Sequence, residues 1–251
     1  MRLVLVRHAD PDYARDCLTE LGKKQARLAA ERLMEEGIEK IYSSSLCRPD
    51  IVGLSIGTRP DCVDKEKLCL ISSYAKDYYT WIEYGLQSVH DKTLIKINRG
   101  HDYKCFLNAY EKTKALGINV CIHIILNLFE SYEEMMETAK TIAKLEPDGV
   151  KIHMLCALSG TKLADMYKNN EITFMTEDEY VNTVCDFLEF LPPHTTIHRL
   201  AGNGLRTELI APRWIGKKLD CLNKIDREFL LRNSWQGKNF KIGRASCRER
   251  V

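Results

Sequence analysis

The chain has 251 residues, 45% hydrophobic and 29% charged, with a formal net charge of +2; this is the balance of a soluble globular protein of one large or two small domains. So small a charge provides no bulk electrostatic pull toward nucleic acid or a membrane surface. The longest apolar run, around residues 120–129, is interrupted by His123 and Asn127 and is too short to span a bilayer. The opening run Met1–Val6 is cut off by Arg7 and His8 before it reaches the length of a signal-peptide core, so a cytoplasmic protein without a membrane partner is expected.

In chain order, residues 3–6 read as a buried strand. Thr19 can cap a helix running to about Glu36, with Leu21, Leu28 and Leu33 on one face and Gly37 as its stop, and residues 38–42 read as a second strand. From residue 51 the pattern alternates. Strands are expected at 51–57, 79–86, 118–126, 148–155 and 195–200, and helices at 64–75, 102–116, 131–145, 161–169, 176–190 and 215–232. Ser131 with Glu134 and Thr176 with Glu179 form capping boxes, and Gly117 closes the helix before strand 118–126. Apolar strands alternating with helices predict a parallel sheet covered by helices, open or closed into part of a barrel.

Ten cysteines stand at 17, 47, 62, 69, 105, 121, 156, 185, 221 and 247, and no pair has CxxC spacing. They predict buried reduced thiols, not a zinc ribbon, an iron–sulfur loop or a disulfide framework. His194 and His198 are four apart, but they flank a segment that reads as a strand, so no metal pair is expected there.

The first strand delivers Arg7 and His8 to its carboxyl end, where α/β folds build their sites. A histidine can take a phosphoryl group covalently, and arginines clamp phosphate oxygens. LVLVRHADPD, LTELGKKQARLAAERL and IYSSSLCR, in that order and spacing, resemble the histidine phosphatase (phosphoglycerate-mutase-like) superfamily over residues 1–48. The resemblance implies His8 as nucleophile, with Arg7 and Arg48 on phosphate. It also calls for an acid and a second histidine from later in that fold, and nothing after Arg48 resembles those parts, so a remnant without turnover is expected. Activity would need His90, His101, His153 or Glu130 to approach His8.

Further on, GLSIGTRPDC (53–62), EYGLQSVHDKTLIKINRGHD (83–102), VCIHIILNLFESYEE (120–134), IHRLAGNG (197–204) and SWQGK (234–238) together resemble the radical SAM superfamily, near its coproporphyrinogen-dehydrogenase and Elongator-type branches, over about residues 50–240. The resemblance implies a partial (β/α) barrel of the TIM type. The parent chemistry is reductive cleavage of S-adenosylmethionine by a [4Fe–4S] cluster, giving a 5′-deoxyadenosyl radical. Carried over by position, Gln87 and Arg99 would contact adenosylmethionine, with Thr58, Arg59, Glu83 and His123 near the same rim; Glu83 and His123 could equally be hydrogen-bonded residues of the barrel interior. The family's CxxxCxxC-type loop has no counterpart, so no cluster is expected on these residues. Where the family has Gly-Leu-Pro-Gly-Glu, this chain has Asn127-Leu128-Phe129-Glu130-Ser131.

Residues 242–251 read in a single frame as the translation of a common short-read sequencing adapter. The expected organisation is therefore a phosphatase-like strand–helix–strand fragment (1–49), the later part of a radical SAM barrel with its extension (50–240) and an artefactual tail (241–251). A small-molecule cofactor is the one partner implied. A non-catalytic binding module and phosphoryl transfer through His8 stand as the alternatives.

Overall fold

A computed structural model describes residues 53–202 and 207–241, together with the backbone of residues 11–12 and 17–18. The chain divides into two compact units, Met1–Ser55 with Ile71–Thr80 and Ile56–Leu70 with Trp81–Val251. In the first, strands β1 (Pro11–Asp12) and β2 (Cys17–Leu18) pair antiparallel, with Pro11 opposite Leu18. The strands and the helix expected over residues 3–42, and with them His8, Arg7 and Arg48, lie outside the described residues.

The main sheet has five strands in the order β3 (Gly53–Thr58), β4 (Tyr79–Gln87), β5 (Asn119–Leu126), β6 (Gly149–Met154) and β8 (Thr196–Arg199). Strands β4, β5, β6 and β8 run parallel. They alternate with α1 (Lys65–Tyr74), α2 (Asp91–Lys96), α3 (Tyr103–Ala115), α4 (Tyr132–Ala143), α5 (Lys162–Lys168), α6 (Glu177–Phe190) and α7 (Lys218–Leu231). A short antiparallel ribbon joins β7 (Ala157–Leu158) to β9 (Leu209–Ala211). Parallel neighbours need a long crossover, and helices provide it.

Local chemistry explains the boundaries. Both capping boxes form: the Ser131 hydroxyl accepts from Glu134 N while the Glu134 carboxylate accepts from Ser131 N, and Thr176 and Glu179 repeat the arrangement. Each satisfies two otherwise orphaned N–H groups. Gly117 leaves α3 at φ +71, where a residue without Cβ is unstrained. Two differences from the sequence expectation concern short helices. Helix α2 forms after β4, where none was expected, with Thr93 and Leu94 buried. Residues 213–216 form a separate 3-10 turn, and α7 starts only at Lys218, because Lys217 at φ −112, ψ 56 breaks the helical path.

The sheet has two unlike faces, set by the two-residue period of a strand. One presents Ile82, Tyr84, Leu86, Ile122, Ile124, Val150 and Ile152, all fully buried. Tyr84 packs edge-on against Phe106 of α3, with ring centroids 6.3 Å apart, and its hydroxyl is 2.8 Å from Thr113 Oγ1. The Asp148 carboxylate pins the strand starts, accepting from Lys114 Nζ at 2.7 Å and from Val120 N at 2.8 Å. The other face, hereafter the inner face, is polar. In register across β4, β5 and β6 it carries Glu83, Cys121 and Gly149 in one row and Gly85, His123 and Lys151 in the next, with Ile125 beside His153 beyond.

Candidate functional site

The carboxyl end of β4 carries the densest set of unusual features. Gly85 and Gln87 flank a register slip against β5, and Gln87 adopts φ +76. A left-handed glutamine is uncommon and costs on the order of 1–2 kcal/mol, so surrounding contacts must hold it there. The next residue does so. Fully buried Ser88 donates to the Glu130 carboxylate, and its hydroxyl accepts from His90 N at 3.0 Å. Burial pushes the Glu130 carboxyl upward, opposed by its hydrogen bonds from Ser88 and Thr93. Glu130 thus ties the turn after β5 to the turn after β4.

Arg99 returns from the far side of α2 and folds over Gly85. Its Nη2 donates to Gly85 O at 2.6 Å and its Nε to the same oxygen at 3.1 Å. A Cβ on Gly85 would lie 2.3 Å from Arg99 Nη2 and 2.8 Å from Gln87 Nε2, so this position must be glycine for the two side chains to converge. These bonds use Nε and Nη2 and leave Nη1 to address a ligand. Gln87 Oε1 is buried without a hydrogen-bond partner, an arrangement that costs roughly 1–3 kcal/mol unless something supplies a donor.

The structure places the other expected residues as follows. Thr58 ends β3, with its hydroxyl 3.4 Å from Arg59 O. Arg59 is exposed and forks onto Asp61, with Nε to Oδ1 at 2.9 Å; its guanidinium comes within 3.7 Å of a Cβ built on Gly100, next to Arg99. Burial, and then the Arg59 charge, push the Arg99 guanidinium below its ordinary value. Two guanidiniums this close favour a negatively charged ligand group. Glu83 and His123 lie deeper on the inner face and are engaged with each other: His123 Nε2 is 2.9 Å from Glu83 Oε2, and Lys151 Nζ binds the same oxygen.

Sequence reasoning missed Lys151, Asp61 and the Ser88–Glu130 tie, and considered His153 only as a partner for His8. VKIHM (150–154) did hold a signal. In a strand buried on both sides, polar residues at alternate positions must share a face. The left-handed conformations at Asn127 (φ +63) and Phe129 (φ +59) are equally informative. The turn after β5 keeps left-handed backbone at residues other than glycine, one of them the tolerant asparagine.

A sheet of this order, with polar strand ends and a guanidinium over a glycine carbonyl, defines an α/β protein with its candidate site at the carboxyl ends of parallel strands. The comparisons specify the class. A model described as "Radical SAM superfamily" matches residues 12–142, just over half of the chain, and one described as "Radical_SAM C-terminal domain" matches residues 147–230. The chain belongs to the radical SAM superfamily. YtqA of Bacillus subtilis is 40% identical over 207 residues, 82% of this chain and 64% of that protein. YhcC of Escherichia coli K12 is 32% identical over 192 residues, 76% of this chain and 62% of that protein. The chain therefore spans somewhat less than two thirds of these relatives. An archaeal Elp3 from Methanocaldococcus infernus superposes with a TM-score of 0.60 at 24% identity, over 72% of this chain and 43% of that one, a likeness of fold.

The parent family uses S-adenosylmethionine and a [4Fe–4S] cluster. The residues at the end of β4 fit the first: an unpartnered amide oxygen and a guanidinium suit a hydrogen-bonding edge and a carboxylate. They do not fit the second. No three His, Cys, Asp or Glu residues among those described are grouped to hold a metal. Cys62 and Cys69 are exposed while Cys121, Cys185 and Cys221 are buried, on separate elements. None of the described helices is long and apolar enough to cross a membrane.

Proposed function

We propose that residues 50–240 are the later part of a radical SAM barrel that retains an adenosylmethionine-facing rim and does not by itself support reductive cleavage. The observation that carries this reading is the convergence of Gln87 and Arg99 over Gly85, with Gln87 Oε1 buried and unpartnered. Arg99 would take the carboxylate through Nη1, Gln87 would hydrogen-bond a polar edge, and Thr58, Arg59 and His123 would border the site. In the parent family the cluster supplies the electron that cleaves adenosylmethionine to a 5′-deoxyadenosyl radical. That electron requires three thiolates in one loop, and the cysteine spacing of this sequence offers none.

Calorimetric titration with adenosylmethionine tests the rim. Without an iron anchor for the amine and carboxylate, binding weaker than about 1 mM is expected, roughly 4 kcal/mol, and Arg99→Ala should abolish what remains. Micromolar affinity would show a pocket complete on these residues and sink the proposal. Anaerobic reconstitution checks the cluster: about four irons per chain, lost on mutating particular cysteines, would refute its absence.

The motif order of residues 1–48 supports reading that segment as a histidine-phosphatase fragment joined to the barrel, against a radical SAM match that begins at residue 12, and the single-frame match of residues 242–251 supports reading the tail as translated adapter. Amplification across codons 40–60 from the source DNA tests the junction; recovery of the continuous sequence would remove the chimera reading. Turnover of small phosphate esters lost in His8→Ala would instead favour phosphoryl transfer.

A further inference from the structure

Among the described residues, five buried side-chain polar atoms have no hydrogen-bond partner: Gln87 Oε1, Thr138 Oγ1, His153 Nε2, Glu177 Oε1 and His198 Nε2. Three of these residues lie on β4, β6 and β8. Gln87 belongs to the rim already described. His198 is closed off by packing. Its ring stands edge-on to Trp81 at 4.6 Å, and its Nε2 would lie 2.5 Å from a Cβ built on Gly149, so no ligand atom fits between. His153 has no such explanation. It shares the inner face with His123, their ring centroids 5.4 Å apart.

The charged and titratable groups that act on His153 are His123 on β5, Arg199 on β8, Lys151 on β6 and Glu83 on β4. Lys151 is paired with Glu83 and only 17% exposed. Arg199 lies opposite Lys151 in the β6–β8 register and has no ion pair among the described residues. One carboxylate is therefore set against Lys151 and Arg199, leaving the neighbourhood positive. Nε2 finds neither an acceptor for a proton nor a donor for a lone pair.

We propose that His153, with Lys151 and Arg199, forms a receptor on the inner face for an oxyanion group, a phosphate or a carboxylate, of the molecule on which the protein acts. That this molecule is a substrate rests on the radical SAM reading; the anion contact does not. A negatively charged oxygen accepts from the imidazole when its proton stands on Nε2 and offsets the surplus positive charge, which a neutral hydroxyl does not do. The same surroundings govern the imidazole's protonation. Burial, and then the positive potential of His123, Arg199 and Lys151, push it down to about 4. An anion within hydrogen-bond reach opposes both influences, so occupancy should raise the His153 value and draw in a proton.

The test is nitrogen-detected NMR titration of the histidines in the full chain, without cofactor, in the presence of inorganic phosphate or acetate up to about 50 mM, well above the dissociation constant of a weak millimolar site. The His153 midpoint should rise by about one pH unit or more, a tenfold preference for the charged form. A response to phosphate alone or to acetate alone would support the receptor and name its ligand class. Arg199→Ala, at an exposed position, should reduce the response without unfolding the protein, and Lys151→Met should reduce it further if it folds. No movement with either anion, or movement undiminished in Arg199→Ala, would overturn the proposal. Adenosylmethionine titrated into the same sample separates the two readings. Loss of cofactor binding with the anion response intact sinks the rim reading alone; the reverse sinks this one alone.

Discussion

Lys151→Met probes the energetics of the inner face most directly. Glu83 and Lys151 are 13% and 17% exposed, and His123, at 22%, donates to the same carboxylate oxygen. Methionine keeps the aliphatic stem of lysine and removes its charge, so packing changes little. Removing one partner of a buried ion pair costs about 3–5 kcal/mol, because the other charge is left uncompensated. Water reaches part of this pair and His123 remains, which brings the expected loss to roughly 2–3 kcal/mol. Against a total stability on the order of 5–15 kcal/mol, urea denaturation followed by far-ultraviolet circular dichroism reads that loss as a clear drop in midpoint. Glu83→Gln combined with Lys151→Met removes both charges and should recover at least half of the loss, since no bare charge remains buried. A Lys151→Met protein within about 0.5 kcal/mol of the parent, or a double variant worse than the sum of the singles, would refute the assignment of a buried, mutually dependent triad.

Three further outcomes are expected. Gly149→Ala places a Cβ 2.5 Å from His198 Nε2 and 2.9 Å from Trp81 Cζ3; it should destabilise by about 1–3 kcal/mol, and pairing it with His198→Ala should relieve most of that, as melting temperatures will show. His153 titrates near 4 when folded against an ordinary 6.5, so the folded state resists protonation. Its contribution is fully present above pH 6.5 and is lost as pH falls toward 4, at most about 3 kcal/mol before solvent screening is discounted; His153→Gln should flatten urea midpoints across that window, and an unchanged slope would contradict the burial described. Asn127 holds φ +63, so Asn127→Gly should be near neutral while Asn127→Ala costs about 1 kcal/mol; equal stabilities in denaturant would argue against a left-handed turn.

The sequence by itself determined whatever depends on near neighbours along the chain. The capping boxes at Ser131 and Thr176 and the exit at Gly117 marked helix ends to within a few residues, because a cap is a contact across three positions. Strand–helix alternation implied the parallel sheet, and motif order placed Gln87 and Arg99 at one strand end. Helix α2 escaped notice because six residues with one buried turn give too little apolar period to read. Only the tertiary structure decided which polar side chains meet. Arg99 closes on the carbonyl of Gly85, fourteen residues back, and Lys151 reaches Glu83 across two strand boundaries. Ser88 is tied to Glu130 from a different turn, and His153 is left with a nitrogen that nothing satisfies. The register of the parallel strands sets each of these, and that register comes from helices packing on the opposite, apolar face. Long-range packing therefore chose the partners, while the local pattern had settled only that polar residues would line the inner face.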